Sequence, residues 1–198
     1  MSPCFIINAR NERVVLIVQV LKDELRHKIL LESEHLFLQR GYDRTSLQMI
    51  ADKVNISKSN LYHYFKNKEE LFYELTDSAA DGLKRMILRF RSMRFDLNMD
   101  AQEFRMLLEE VLSLLLAEKY GLLLIMEQAN GTRYENLRPV MIELIASKIV
   151  PMLADEENSP MMAQIMARNL VDGTVHILKN RVRPSEVRAG LNQLITYH

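Results

Sequence analysis

Between Thr45 and Lys68 the chain reads TSLQMIADKVNISKSNLYHYFKNK, a stretch dense in side chains that hydrogen-bond and carry charge. Leu47, Ile50, Ala51 and Val54 fall at i, i+3, i+4 and i+7, which predicts a short helix from about Leu47 to Val54 with one buried stripe. Thr45 and Ser46 are both suitable caps for its start, and Thr45 with Gln48 has the capping-box form. Asn55-Ile56-Ser57 supplies a turn, since asparagine tolerates the left-handed backbone and Ile56 can fill the gap between two helices. Ser57 then caps a second helix from Lys58 to about Tyr64. At 100° per residue Leu61 and Phe65 share its inner side, Ser59, Asn60 and His63 point away, and Lys58, Tyr62 and Tyr64 flank them. Short polar side chains of this kind can approach base edges in a DNA groove. Hydroxyls and ammoniums, here including Lys66 and Lys68, can reach phosphates. On the residues alone, the same face also suits the solvated side of an ordinary helical hairpin.

Other chemistry has little support. The chain has no Gly-rich phosphate loop, no nucleophile elbow and no Cys/His cluster with metal spacing, so no enzyme and no cofactor is expected. The five histidines are scattered, and Glu109-Glu110 reads as a pair on a helix surface. One cysteine, Cys4, excludes an intrachain disulfide and suits a reducing compartment. No apolar run approaches the roughly 20 residues needed to span a bilayer. With 48% hydrophobic and 26% charged residues in 198, a sizeable core is available. The net charge of zero hides an asymmetry: residues 22–68 carry nine Lys/Arg against six Asp/Glu, and residues 69–198 carry fifteen against nineteen. A mildly basic module on an acidic body fits a DNA reader with a partner domain that does not touch DNA.

From about Lys22 to Phe72 the chain resembles the DNA-binding domain of the tetracycline-repressor (TetR) family of bacterial transcriptional regulators. The resemblance rests on Ile29-Leu30, Leu36-Phe37, Arg40-Gly41-Tyr42, Thr45-Ser46-Leu47, Ile50-Ala51, Ile56-Ser57-Lys58, Leu61 to Phe65 and Lys66 to Phe72. It implies an all-α protein with an N-terminal three-helix DNA-binding domain and a C-terminal helical ligand-binding and dimerisation domain. Ser59 and Asn60 stand where the family often has Gly and Thr, and Asn55 stands for the usual turn Gly, so the operator sequence is not inherited with the resemblance.

The remaining elements must position that face. Met1 to about Val20 reads as an arm, with residues 1–21 set apart from the module at 22–68 and the body at 69–198. A first helix is expected from about Lys22 to Arg40, with Leu25, Ile29, Leu36 and Phe37 inside and Gly41 as a left-handed cap. Asn67 caps a longer helix, Lys68 to about Arg91, whose first turn is acidic. It joins the two domains and is the obvious lever. After a loop over Ser92–Asp100, helices are expected at Ala101–Lys119, Leu122–Gln128 after a break at Tyr120-Gly121, Glu135–Leu153, and Met161–Lys179 opened by a Ser159-Pro160 cap. A last helix opens at Arg183-Pro184-Ser185-Glu186. Asp155 to Asn158 reads as a solvated loop.

Ten of the twelve methionines lie from Met86 onward in a Leu-rich helical body, which is material for core packing and equally for an adaptable apolar pocket. Met86, Leu107, Val111, Met126 and Met141 are candidate ligand contacts, with Asn169 and His176 as the polar groups that would orient a ligand. Ala163, Ala167, Leu170, Val171, Thr174 and Leu178 form a stripe of alternating small and large residues that lets another helix approach. In the resembled family the last two helices pair with their symmetry mates, which implies a dimer interface on that stripe and on Val187, Leu191 and Leu194. Core packing within one chain is the alternative.

The sequence therefore predicts a cytoplasmic, homodimeric regulator that binds a pseudopalindromic double-stranded operator and is released by a small hydrophobic or amphipathic effector, without metal, cofactor or membrane. Ser59, Asn60 and His63 would read bases, with Gln48 adding a contact. Ser46, Ser57, Lys58, Tyr62, Tyr64, Lys66 and Lys68 would line the DNA, mainly at phosphates. A helical ligand-binding or scaffold protein with a non-functional DNA module, and an activator of the same fold, are the competing expectations.

Overall fold

The computed structural model describes residues 9–93, 101–153, 157–181 and 183–196, and side chains are described over a slightly narrower set. Within those residues every regular element is helical: α1 (Ala9–Arg40), α2 (Leu47–Val54), α3 (Lys58–Leu61), α4 (Lys68–Ser92), α5 (Ala101–Ala117), α6 (Lys119–Gln128), α7 (Leu137–Ile149), α8 (Ser159–Asn180) and α9 (Pro184–Thr196). A single 3-10 turn, Val150–Met152, prolongs α7 past the point where Pro151 withholds an N–H. The all-α, two-part architecture is as expected.

Several boundaries differ for identifiable reasons. The arm is helical from Ala9, so α1 is 32 residues long and begins well before Lys22. Residues 1–8, with Cys4, lie outside the described set, as do 94–100 of the expected Ser92–Asp100 loop and 154–156 of the acidic loop. Gly121 does not break a helix. The break falls at Glu118, and Gly121 lies within α6, where a Cβ would stand 2.7 Å from the Ala79 Cβ and 3.0 Å from the Leu75 carbonyl oxygen. It is a site of close approach between α4 and α6. Asn158, not Ser159, holds the cap position of α8, and Ser159 is the buried first helical residue.

The helix-turn-helix does not have a separate core. One buried cluster runs from Ile29 and Phe37 of α1 through Leu61, Phe65 and Phe72 to Leu124, Met141, Ala163 and Val171. Phe72 sits at its hinge, fully buried, with its ring centroid 5.4 Å from Phe37 and 5.0 Å from Tyr42, both edge-on. Burial of such a ring contributes about 1.5–3 kcal/mol, and each edge-to-face pair adds about 0.5–1.5. On the surface Arg26 of α1 reaches both carboxylate oxygens of Glu74 on α4 at 2.5 Å, with its guanidinium 4.9 Å from the Phe65 ring centroid. The start of α4 is thus welded to the module, while its far half belongs to the body.

Candidate nucleic-acid interface and adjoining cavity

The turn between α2 and α3 is built as the residue types demand. Ser46, not Thr45, is the cap of α2: its Oγ accepts from the Met49 N–H at 3.2 Å. Thr45 is buried and donates to the Gly41 carbonyl at 2.8 Å. Asn55 has φ 64° and ψ 47°, the one positive φ outside glycine among the described residues. That conformation returns its own N–H to Asp52 O and the Ile56 N–H to Ala51 O, closing α2. Ser57 Oγ accepts from the Asn60 N–H at 3.1 Å and starts α3. The regular helix is shorter than expected, ending at Leu61, because His63 and Tyr64 donate to carbonyls three residues back, at Asn60 and Leu61. This tighter winding carries the face on to Phe65, which Leu61 joins in the core.

With Ile50, Ala51, Val54, Leu61 and Phe65 buried, the opposite side is presented outward. Ser46, Gln48, Ser57, Lys58, Ser59, Tyr62, His63 and Lys66 are exposed, and Asn60 and Tyr64 are half-buried. Lys58 Nζ lies 5.9 Å from the Tyr62 ring centroid, so ammonium and phenol form one patch. Gln48 donates to the Asp52 carboxylate at 2.8 Å along its own helix, which takes the place of a capping-box contact. Lys68 departs from the expectation of a phosphate contact. Half-buried, it donates to the Tyr42 carbonyl at 2.7 Å and stands 4.0 Å from the Tyr42 ring centroid. Desolvation pushes its pKa down, partly offset by Asp43. Lys68 ties the start of α4 to the loop after α1.

Behind this module α4 to α9 enclose a cavity of about 550 Å³, within the range of small-molecule pockets. Of the expected ligand contacts, Met86, Leu107, Val111, Met126 and Met141 line it. Asn169 and His176 do not: both are exposed on the outer side of α8. The polar lining comes instead from Glu109, Lys148, Thr174, Arg188 and Asn192. Arg188 grips Glu109 with two bonds, one of 2.8 Å, which raises the guanidinium's pKa and lowers the carboxyl's. Thr174 donates to the Leu170 carbonyl, satisfying its hydroxyl along the helix.

Most of the expected dimer stripe packs within the chain. Ala163, Ala167, Val171, Leu178, Val187 and Leu191 are buried within a single chain, and Leu170, Val171, Thr174, Leu178 and Leu191 line the cavity. The close approach that the small residues allow is made within the chain. A Cβ on Gly173 would stand 2.9 Å from the Leu194 methyls, and one on Gly190 3.2 Å from Ile177, so Leu194 packs α9 onto α8. Half a turn away on α8, Met161, Met162 and Ile165 are exposed by 58%, 43% and 45%.

A second junction escaped sequence reasoning. Arg133, in the α6–α7 connection, lies 3.8 Å from the Tyr73 ring centroid and donates to the Asp77 carboxylate at 2.5 Å. The Tyr134 hydroxyl donates to the same oxygen at 2.6 Å. Burial first, then this bond to Asp77, pushes the Tyr134 phenol up to about 12. Nearby, Gly41 at φ 86° approaches Gln128 at the end of α6, and Gly131 at φ 74° approaches Asp43. Nothing in the spacing of Asp77 and Arg133, 56 residues apart, signals the pairing.

Residues 29–75 match the family model for bacterial regulatory proteins of the tetR family. Through this module the chain is similar to that family. IcaR of Staphylococcus epidermidis, a negative transcriptional regulator of the biofilm operon icaADBC, is 34% identical over 65 residues, 33% of this chain and 35% of IcaR. FasR of Mycolicibacterium smegmatis, a transcriptional activator, is 34% identical over 62 residues, 31% of this chain and 28% of FasR. The chain thus spans about a third of the length of the curated relatives it matches. Likeness of fold extends further. The crystal structure of a probable transcriptional regulatory protein superposes with a TM-score of 0.57 at 17% identity, over 87% of this chain and 96% of that one. PfmR of Thermus thermophilus gives 0.51 at 20%, over 84% and 94%. The module that matches the tetR-family model is thus joined to a helical body of matching fold. Among the described residues no helix is long and apolar enough to cross a membrane, and no group of three or more His, Cys, Asp or Glu could hold a metal ion.

Proposed function

We propose that the protein is a homodimeric, DNA-binding transcriptional repressor of the bacterial cytoplasm, released from its operator when a small apolar or amphipathic effector occupies the cavity of the body. The observation that carries this reading is that α4 serves both halves. Its first turns hold the module through Glu74 and Phe72, and Leu83, Met86 and Phe90 further along line the cavity. The functional division falls at 22–68 for the module and 69–198 for the body.

Ser59, Asn60 and His63 read base edges, and Gln48 supplements them once it leaves Asp52. Ser46, Lys58, Tyr62 and Lys66 contact phosphates, with Ser57 and Tyr64 holding the shape of the reading segment. Lys68 positions the α1–α2 loop. Two modules in successive major grooves require a two-fold dimer. The outer side of α8 offers its seam: Met161, Met162 and Ile165 supply apolar area, and Asn169 and His176 share that side. Repression is supported by the similarity to the negative regulator IcaR, and the similarity to the activator FasR supports activation as the second reading.

The test is a fluorescence-anisotropy titration against the DNA upstream of the protein's own coding sequence. Lys58→Ala and Lys66→Ala should weaken binding to all sequences and each reduce the salt slope by about 1, whereas Asn60→Ala and His63→Ala should change which bases are preferred. Absence of any binding at low salt, with the fold intact, would reject the DNA-binding reading. A reporter under the same DNA, rising or falling when the protein is supplied, separates activation from repression.

A further inference from the structure

Glu109 and Glu110 stand side by side on α5 and hold on to two different helices. Arg188 of α9 grips the Glu109 carboxylate with two bonds, and Arg89 of α4 donates to Glu110. All four side chains are about half exposed, so both pairs lie at the surface. Glu109 and Arg188 also line the cavity, which places their pair at its rim. α5 has little else to hold it. Its inner side, Leu107, Leu108, Val111, Leu112, Leu114 and Leu115, faces the cavity. Among the described residues no buried member of the large core cluster comes from α5, whereas α4, α6, α7 and α8 each supply several. A helix that faces a void forgoes the dispersion contacts that lock a core helix, so α5 is the wall that moves at least cost.

The neighbouring walls are fixed. Lys148 of α7 caps the end of α4, donating to the Met93 carbonyl at 2.7 Å and to the Arg91 carbonyl at 3.3 Å, where the helix dipole favours an ammonium. Leu194 packs α9 onto α8. The C-terminal end of α5 is fixed as well. The helix breaks at Glu118, with φ −114° and ψ 25°, and the Glu118 carboxylate accepts from the Ser78 hydroxyl of α4 at 2.6 Å. The next residue, Lys119, donates to the Arg181 carbonyl at 3.0 Å. This break is a pivot pinned on both sides, and the two glutamates lie about two turns up the helix from it.

We propose, resting on the effector reading above, that α5 is the door of the cavity: it swings about Glu118, and the Glu109–Arg188 and Glu110–Arg89 pairs are the latches that keep it shut. A ligand enters at the rim when both latches open, and the latches re-form over it. Because the same two pairs stand in the empty and the filled state, they set how fast a ligand comes and goes and not how tightly it is held. Each opening also parts α5 from α4, the helix that carries the DNA-reading module.

The experiment uses the full chain and Nile red, an uncharged dye that brightens in apolar surroundings, with association and dissociation followed by stopped-flow fluorescence. Glu109→Gln and Glu110→Gln keep the shape of the side chain and remove its charge. Each should speed association and dissociation alike by about two- to fivefold, the worth of an exposed ion pair, and leave their ratio unchanged. The native chain should quicken in the same way towards about 1 M salt, where the screening length falls to about 3 Å, and the double variant should not respond. Asp172→Asn breaks an exposed pair between α7 and α8 and should alter neither rate. In a Cys4→Ser background, Glu109→Cys and Arg188→Cys joined by a bismaleimide should bar entry of the dye. Rates indifferent to both glutamates, a change in affinity without a change in association, or equally fast entry into the cross-linked chain would each overturn the door and leave the effector reading intact. No binding of the dye would overturn both. None of these readouts involves DNA, so the repressor reading is judged separately in the operator titration.

Discussion

Gly121 sets how closely the lever can lie against the wall of the cavity, and a single methyl group there tests the packing quantitatively. An alanine Cβ would stand 2.7 Å from Ala79 Cβ and 3.0 Å from the Leu75 carbonyl oxygen, so its neighbours are a helix backbone and a side chain with no rotamer to change. The substitution gains about 0.5–1 kcal/mol from glycine's lost freedom in the unfolded chain. Against that, overpacking between rigid elements costs about 1–3 kcal/mol. The net expected for Gly121→Ala is a loss of about 1 kcal/mol, which lowers Tm by roughly 2–4 °C in a chain of this size. Gly82, on the same helix, is the control. A Cβ there meets only the Leu114 methyls, the far end of a flexible side chain that is half-buried beside the cavity. Leu114 can rotate, so Gly82→Ala should keep the propensity gain and raise Tm by roughly 1–3 °C. Both are read by thermal melts followed by circular dichroism. Operator affinity should fall in Gly121→Ala, because α6 can yield only by moving away from α4 or by pushing on Gly41 at its other end. A higher Tm for Gly121→Ala than for Gly82→Ala would refute the packing argument.

Other consequences are open to equally direct tests. Asn55→Gly should be neutral or slightly stabilising and Asn55→Val destabilising by about 1–3 kcal/mol in urea unfolding, since the turn requires φ 64°. Tyr134 has its phenol raised from 10.0 to about 12, so the neutral form is favoured by folding. That stability is fully present below pH 10 and is lost as pH rises from about 10 through about 12. Urea midpoints measured across that window should fall for the native chain and fall less steeply for Tyr134→Phe. Ile165→Glu on the outer side of α8 should shift sedimentation towards the monomer and reduce operator affinity without lowering Tm of the monomer, whereas Ala167→Glu, buried in the chain, should unfold it. An unchanged sedimentation profile for Ile165→Glu would remove α8 as the seam.

The module was legible because its signals are local. Caps, turn and stripe lie within four residues of one another, and Asn55 adopts the left-handed conformation its position calls for. Periodicity likewise placed the α8 stripe, but it reports only that a face is buried and not by what. Ala163 and Ala167 have the small-residue pattern of a helix–helix contact, and the partner proved to lie within the chain. Asn169 and His176 share a face, as their spacing requires, yet it is the outer one. The Asp77–Arg133–Tyr134 junction and the Lys148 cap join residues more than 50 positions apart, and no local pattern announces such pairs.

Two routes lead from the cavity to the reading face, and they differ in what they can transmit. Along α4 the path is a stiff helix, capped by Lys148 at one end and anchored by Arg26 and Lys68 at the other, so it transmits rotation of a rigid body. Along α6, Leu122, Leu123 and Met126 touch the cavity and Gln128 abuts Gly41, only four residues before Thr45 and the start of α2. A change in cavity shape therefore pushes on the module from its edge while α4 turns it from below. Both routes pass through the contact at Gly121, so neither can move without the other unless that contact opens. Loosening the Asp77–Arg133 latch by Arg133→Ala should leave cavity affinity for an effector nearly unchanged yet reduce the factor by which that effector weakens DNA binding. An undiminished factor in this variant would confine the coupling to α4 alone.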